Sequence, residues 1–336
     1  MTNDSISVII AAYNAEDTID KCLVSILKQK NIDHYQIIIV NDGSTDNTLE
    51  RLSKYRSNTK VSIINKKNTG ASDSRNVALK QVNTDFVTFV DADDYVADDY
   101  LDTLLNQYFQ LPDCDLAICG YQKELADGQI TMIGNGEKAI LNQEEAFHNI
   151  FISYNFEGYL VNKLFKVSII KANNLWLDKE AKFSEDLLFC CNYLNYCQKI
   201  SFNPKPVYHY VYYANSQLHS HRIGSPFDNN AISILDTFSK IRRTVPLKYT
   251  KEISDVNARV CWFAVTLLRS IAAAPNRNEI DKKTIDSLRK IAKKYRKDFM
   301  RNDVLPPRDK IIYWVNWFFP RTLGRIWNLL NLRDHS

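Results

Sequence analysis

Four short runs of branched apolar residues punctuate the first ninety positions: SVII (7–10), QIIIV (36–40), VSII (61–64) and DFVTFV (85–90). They are nearly continuous rather than alternating, which predicts strands covered on both faces of one sheet. Between them the period lengthens. Ile19, Cys22, Leu23, Ile26 and Leu27 fall at i, i+3, i+4, i+7 and i+8, one buried stripe of a helix. A second helix is predicted from Thr45 or Asp46, both good N-cap types, towards Tyr55. A third covers about 71–82, and a fourth about 98–109 with Leu101, Leu104, Leu105 and Tyr108 inward. The β-α-β-α-β-α-β-α order predicts a parallel, doubly wound sheet with right-handed crossovers.

The pattern then changes. CDLAICGYQKEL, the turn ADG and QITMI read as two strands with a hairpin-like connection. Asn142 and Glu145 have capping-box spacing for a helix through Phe151. Ser184 is the expected N-cap of a helix to about Tyr196. KISF and PVYHYVYY read as two strands separated by Pro204 and Pro206. Beyond 228 the pattern is helical over 228–244, 249–273 and 279–300, with a tail after Pro306-Pro307. The expected division is an α/β domain over 1–222 and a helical region over 223–336.

Composition narrows the class. Of 336 residues, 45% are hydrophobic and 24% charged, the balance of an ordinary globular protein. The seven cysteines form no CxxC pair, which suits a reducing compartment and a cytoplasmic location. The N-terminus lacks the pattern of a signal peptide, and no apolar run is long enough to predict a membrane span. From 276 onward there are 15 Lys/Arg against 7 Asp/Glu, whereas the preceding residues are mildly acidic. Basic charge confined to one end argues against nucleic-acid binding and hints at an anionic partner for the tail.

In an open parallel sheet, ligands sit beyond the carboxyl ends of the strands. Four loops follow those ends: Ala11-Ala12-Tyr13-Asn14, Asn41-Asp42-Gly43-Ser44, Asn65 to Gly70, and Asp91-Ala92-Asp93-Asp94. An aromatic ring to stack, carboxylates, amides and two glycines suit a nucleotide. Each loop alone has a plainer reading: Asp42-Gly43 as a turn, Tyr13 as a packing residue, Asp91 and Asp93 as a solvated loop. Their convergence on one sheet edge favours a site. An EF-hand is excluded because Tyr95 and Val96 stand where that loop needs a ligand and its turn glycine. The Asp-x-Asp spacing suits a hard divalent ion that neutralises a departing diphosphate, with Arg75 as a fixed positive charge.

SVIIAAYNAEDTIDKCLVSILKQ, IIIVNDGSTDNTLE, NTGASDSRNVAL and DFVTFVDADDYV together resemble the motifs of family 2 glycosyltransferases. The resemblance is strong over 5–110. It continues through NKLFKVSII (162–170) and KFSEDLLF (182–189), which resemble acceptor-side segments of bacterial cell-surface polysaccharide and teichoic-type transferases. It lapses after about 220. It implies a GT-A fold, a Rossmann-like, mostly parallel sheet flanked by helices.

The resemblance also implies roles. Ala11, Tyr13 and Asp42 would surround a uracil-type base, with Asn14, Gly43, Asn68, Gly70, Arg75 and Ala92 also at the nucleotide-sugar site. Asp91 would reach the ribose and metal region, and Asp93 would ligate Mn²⁺ or Mg²⁺. Asp186 matches the general base of an inverting single displacement, with Glu185 beside it. Such an enzyme moves a hexosyl or N-acetylhexosaminyl group from a UDP-sugar to a glycan or lipid-linked glycan acceptor. Two departures stand out: Ala11 replaces a frequent proline, and Val211 a frequent arginine that would touch the diphosphate.

Alternatives stay open. Glu185 and Asp186 also suit the positive end of a helix dipole, which would lower their pKa and weaken a base. His209 either approaches the metal or is a hydrogen-bonded structural histidine. His219 and His221 are expected in a loop over the site. The aromatic, basic tail IIYWVNWFF and RTLGRIWNLLNL either lies on an anionic membrane at the inner face, packs on the helical region, or makes a homo-oligomer contact. A non-catalytic sugar-nucleotide-binding partner of another transferase is the competing function. A nucleotidyltransferase fits poorly, because AAYNAED is not a Gly-rich, Lys-bearing phosphate loop.

Overall fold

The computed structural model describes residues 5–125, 128–134, 136–152, 155–212, 226–303, 305 and 307–318. His219, His221 and the tail beyond 318 lie outside them. The chain forms two compact units, residues 1–180 with 185–213, and residues 181–184 with 214–336.

The first unit begins as the apolar runs predict. Strands β1 (Ile6–Ala12), β2 (Tyr35–Asp42), β3 (Val61–Lys66) and β4 (Phe86–Phe89) alternate with helices α1 (Ile19–Leu27), α2 (Thr48–Ser53) and α3 (Ala71–Gln81). β1 pairs in parallel with both β2 and β4, and β2 with β3. Ile37, Ile39, Val8 and Ile10 meet Cys22, Leu23 and Ile26 of α1 in one core. Full burial of such a side chain is worth ~1.5–3 kcal/mol. Asp46 accepts from the Thr48 N–H at 3.0 Å, so the α2 turn begins two residues past that aspartate.

The strand β5 (Tyr95–Val96) precedes α4 (Tyr100–Gln110), and β6 (Leu116–Glu124) pairs antiparallel with β7 (Ile130–Ile133), the expected hairpin. After β8 (Ala139–Leu141), Asn142 and Glu145 form the predicted capping box of α5 (Gln143–Ile150). Then come β9 (Lys163–Lys166), α6 (Val167–Ala172), α7 (Glu185–Leu194) and β10 (Ile200–Val211). The sheet order is β3-β2-β1-β4-β9-β6-β10-β5, with β7 beside β6 and β8 beside β10. It is mixed: β9 runs antiparallel to β4 and β6, and β5 and β8 run antiparallel to β10.

One expectation changes. KISF and PVYHYVYY are one strand, because register shifts around Pro206 absorb the missing proline donors. Gly120 on β6 permits this, since a Cβ there would run into the Pro204 carbonyl. Asp99 stands at the N-cap position of α4 without a side-chain cap bond. Asp98 pairs with Lys30 at 2.5 Å and Asp99 pairs with Lys205.

The second unit is helical: α8 (Ser233–Thr244), α9 (Thr250–Ala273), α10 (Lys282–Lys294), α11 (Arg296–Arg301) and α12 (Pro307–Phe318). The 279–300 pattern breaks at Tyr295 into α10 and α11. By length and composition, α9 could cross a membrane. Here Val256, Val260, Cys261, Ala264, Val265, Leu267 and Ile271 are buried within the unit, as in the central helix of a folded core.

Candidate active site

The four loops after β1–β4 meet at one end of the sheet and are tied together by short polar side chains. Asn14 holds φ at 49° and accepts from Thr45 N–H at 2.9 Å, while its own N–H donates to Ser44 Oγ at 3.0 Å. The first and second loops are thus pinned to each other. Tyr13 is left 41% exposed beside them, while Ala11 is partly and Ala92 fully buried.

Asp42 closes β2 and is buried. Its Oδ1 accepts from Thr69 N–H at 2.9 Å, its Oδ2 from Gly70 N–H at 2.8 Å, and Lys66 Nζ pairs with it as well. The carboxylate expected at a base is thus already engaged in holding the third loop. Gly43 makes the approach possible. Its φ is 68°, and a Cβ there would stand 2.7 Å from Asn68 N. Beside these loops lies an open polar cleft of about 660 Å³ lined by Asn41, Gly43, Ser44, Asn65, Lys66 and Asn68, among others.

Arg75 is the centre of the other half. It projects from the second turn of α3 into the protein, with only 8% of its side chain exposed. Nη2 donates to Asp91 Oδ1 at 2.7 Å, and Nη1 to Asp186 Oδ1 at 3.1 Å and Glu185 Oε1 at 3.3 Å. The candidate base, its neighbour and the first acid of the Asp-x-Asp pair, from 16 to 111 residues away, therefore share one guanidinium. Burial works against the arginine's charge, but Asp186, Asp91 and Glu185 outweigh it and raise its pKa.

Three carboxylates on one guanidinium leave excess negative charge. Asp186 bears the consequence. Burial, with Glu185 and Asp91 adding to it against Arg75, raises its pKa to about 7. The helix dipole, expected to weaken this base, is overridden by that environment. Of the Asp186 side chain, 17% remains exposed. The helix α7 starts directly after Ser184, which holds φ at 58° and so turns the chain sharply into it.

The turn after β4 is held from beneath. Tyr208 Oη accepts from Asp91 N–H at 3.3 Å and donates to Asp94 Oδ2 at 2.5 Å, and Val211 N–H donates to Asp94 Oδ1 at 2.8 Å. Asp94 thus steadies the turn, and the Val211 backbone contributes although its side chain offers no cation. Asp93 is left at the surface with no cation partner among the described residues. Crowding by protein atoms and the charge of Asp91 push it up to about 6, a shift tempered by its exposure.

Asp91 and Asp93 suit Mg²⁺ or Mn²⁺: both offer hard oxygens from one turn, where a divalent cation would relieve the mutual repulsion. No group of three or more His, Cys, Asp and Glu residues gathers for a metal among the described residues. Phosphate oxygens and water would complete such a shell. His209 is not brought to these acids. It neighbours Tyr208 on β10 and therefore points to the opposite face, stacked on Tyr95 at 4.2 Å, with Nδ1 against Gln122 at 2.7 Å and Glu124 at 2.9 Å. The lone histidine in an aromatic strand is here a structural one.

At the end of this mixed sheet an acidic turn shares Arg75 with a buried acid on α7. Residues 7–163 match the model of glycosyl transferase family 2. The chain is 30% identical over 220 residues to the putative glycosyltransferase EpsH of Bacillus subtilis, covering 64% of this chain and 63% of that protein. It is 31% identical over 214 residues to the poly(ribitol-phosphate) beta-N-acetylglucosaminyltransferase TarS of Staphylococcus aureus, covering 61% and 35%. The chain thus spans less than two thirds of the length of these curated relatives. The fold matches the crystal structure of S. aureus TarS 1–349 in complex with UDP at a TM-score of 0.63 and 19% identity, over 88% of this chain and 89% of that one. The mannosyltransferase PcManGT from Pyrobaculum calidifontis, in complex with GDP-Man and Mn²⁺, matches at 0.54 and 16% identity, over 94% and 87%.

Proposed function

We propose that this chain is an inverting glycosyltransferase that moves a hexosyl or N-acetylhexosaminyl group from a UDP-sugar to a hydroxyl of a cell-surface polysaccharide, teichoic-type polymer or lipid-linked glycan. The observation that carries it is the Arg75 junction, which holds Asp91 and Asp186 on a single cation. Donor-side and acceptor-side groups are thereby fixed relative to each other. Relatives support the donor class: TarS structures are described with UDP and with UDP-GlcNAc. Relatives named for poly(ribitol-phosphate) support a cell-surface polymer as the acceptor class.

Asp186 takes the proton from the acceptor hydroxyl as that oxygen attacks the anomeric carbon and the nucleoside diphosphate departs. Its raised pKa makes it a competent base near neutrality. Arg75 keeps its own charge and so limits the repulsion between Asp186 and Asp91. Asp91 and Asp93 would hold Mn²⁺ or Mg²⁺, which supplies charge neutralisation for the diphosphate. Tyr13 and the cleft beside Asn68 would receive the nucleoside. Buried cysteines that form no disulfide among the described residues suit a reducing cytoplasm, and the basic tail suits its membrane face.

A binding and hydrolysis screen across UDP-, GDP- and dTDP-sugars with Mn²⁺ tests this. Selective turnover of a UDP-sugar is expected. Selective binding without turnover, even with acceptors present, would favour a non-catalytic partner of another transferase.

A further inference from the structure

We propose that Tyr159 and Tyr210 form a stacking platform for a pyranose ring of the acceptor, placed beside Asp186; this rests on the transferase reading. The two rings lie 6.3 Å apart at an interplanar angle of 26°. Tyr159 remains 37% exposed and Tyr210 partly so. Tyr210 stands two residues beyond Tyr208 on β10, so both rings leave the same face of the sheet. Since Tyr208 braces the Asp91–Asp94 turn, the platform begins at that turn.

Its other end is built as firmly. The Tyr159 carbonyl accepts from Lys163 Nζ at 2.7 Å, and that fully buried ammonium also takes the Glu157 carbonyl at 2.8 Å and Asn162 Oδ1 at 2.8 Å. A buried lysine with this role fixes the 157–162 segment. Gly158, within it, lies against Leu187, the residue after Asp186: a Cβ there would stand 2.4 Å from Leu187 Cδ1. The Tyr159 ring meets buried Tyr121 edge-on at 5.9 Å and 90°, and Tyr121 Oη donates to Glu157 at 2.5 Å. The exposed pair therefore rests on an aromatic and hydrogen-bonded base.

The chemistry suits a sugar ring. A pyranose presents an apolar C–H face that packs on an aromatic face, while its hydroxyl edge needs a few placed polar groups. Burial and the carboxylates of Glu157, Asp186 and Asp91 push Tyr159 up to about 12, so its hydroxyl stays a donor at neutral pH. Through Gly158 against Leu187 and the Tyr159 carbonyl against Cys190 Sγ at 3.9 Å, the segment carrying Tyr159 packs on α7 next to the acid that receives the acceptor proton, which assigns the platform to the acceptor.

Saturation-transfer NMR on the full chain, with methyl β-glucopyranoside, methyl β-N-acetylglucosaminide and acyclic ribitol as probes, tests it. UDP is titrated separately with Mn²⁺ by calorimetry. Pyranosides should receive saturation and ribitol should not. Tyr159→Ala and Tyr210→Ala should each weaken pyranoside binding by about 3- to 10-fold, with the Phe variants retaining it and UDP affinity unchanged. No pyranoside signal from the native chain, equal binding by both Ala variants, or a parallel loss of UDP affinity would overturn the proposal. Pyranoside binding at these rings without any UDP binding would instead remove the donor reading and leave the platform standing.

Discussion

Asp42, at the end of β2, and Asp93, after β4, stand at the same end of the sheet on strands that flank β1, yet their surroundings are opposites. Asp42 is buried and accepts from two backbone N–H groups and a lysine. Asp93 is exposed, lies near Asp91, and forms no ion pair among the described residues, feeling Arg75 only at a distance. One half of the loop cluster is satisfied by its own chain. The other half, from Asp91 to Asp186, carries more negative charge than Arg75 offsets. The difference teaches which carboxylates build the frame and which are left to meet a cation, a proton or a substrate.

That contrast can be broken from either side. Asp93→Ala should lower metal-dependent turnover by at least about 100-fold, since charge neutralisation of a diphosphate is worth several kcal/mol; unchanged rates in chelator would remove the metal assignment. Arg75→Met should destabilise the fold by about 3–5 kcal/mol in urea titrations, because three carboxylates lose their shared cation. Unaltered stability would mean that those acids already share protons without it. Asp42→Ala should cost about 1–3 kcal/mol by stranding the Thr69 and Gly70 N–H groups, with donor KM rising more than kcat falls. An equal loss in kcat would place Asp42 in the chemistry.

The smallest effect is in pH. A base must be unprotonated, so the rate should fall about tenfold per unit as pH drops below about 7, the value set by burial of Asp186. The stability sign is the reverse. The folded chain holds protons on Asp186 and Asp93 that the unfolded chain releases near its ordinary aspartate value, so their contribution declines as pH rises from about 4 to 7. Thermal melts with and without Mg²⁺ check it, the cation restoring stability at the upper end.

Local pattern carried β1 to β4, the α1 stripe and the α5 capping box, because periodicity and cap chemistry are set by neighbours within a few residues. It did not carry β5, whose two residues hold no period, or the continuity of β10, where Gly120 on another strand lets the prolines pass. The four loops and their acids were legible because strand ends are. Their division of labour was not. Asp42 takes its partners from a loop 27 and 28 residues away, and Arg75 joins acids up to 111 residues from itself, so neither engagement leaves a mark at its own position. The strand alternation that turns His209 from the acids was readable only once Tyr208 had been placed.

The most direct test of the account is Asp186→Asn assayed with the UDP-sugar that the native chain turns over, alongside UDP affinity. The account predicts unchanged UDP binding and transfer reduced by about 10²–10⁴-fold. Near-normal transfer by a folded, UDP-binding variant would contradict it.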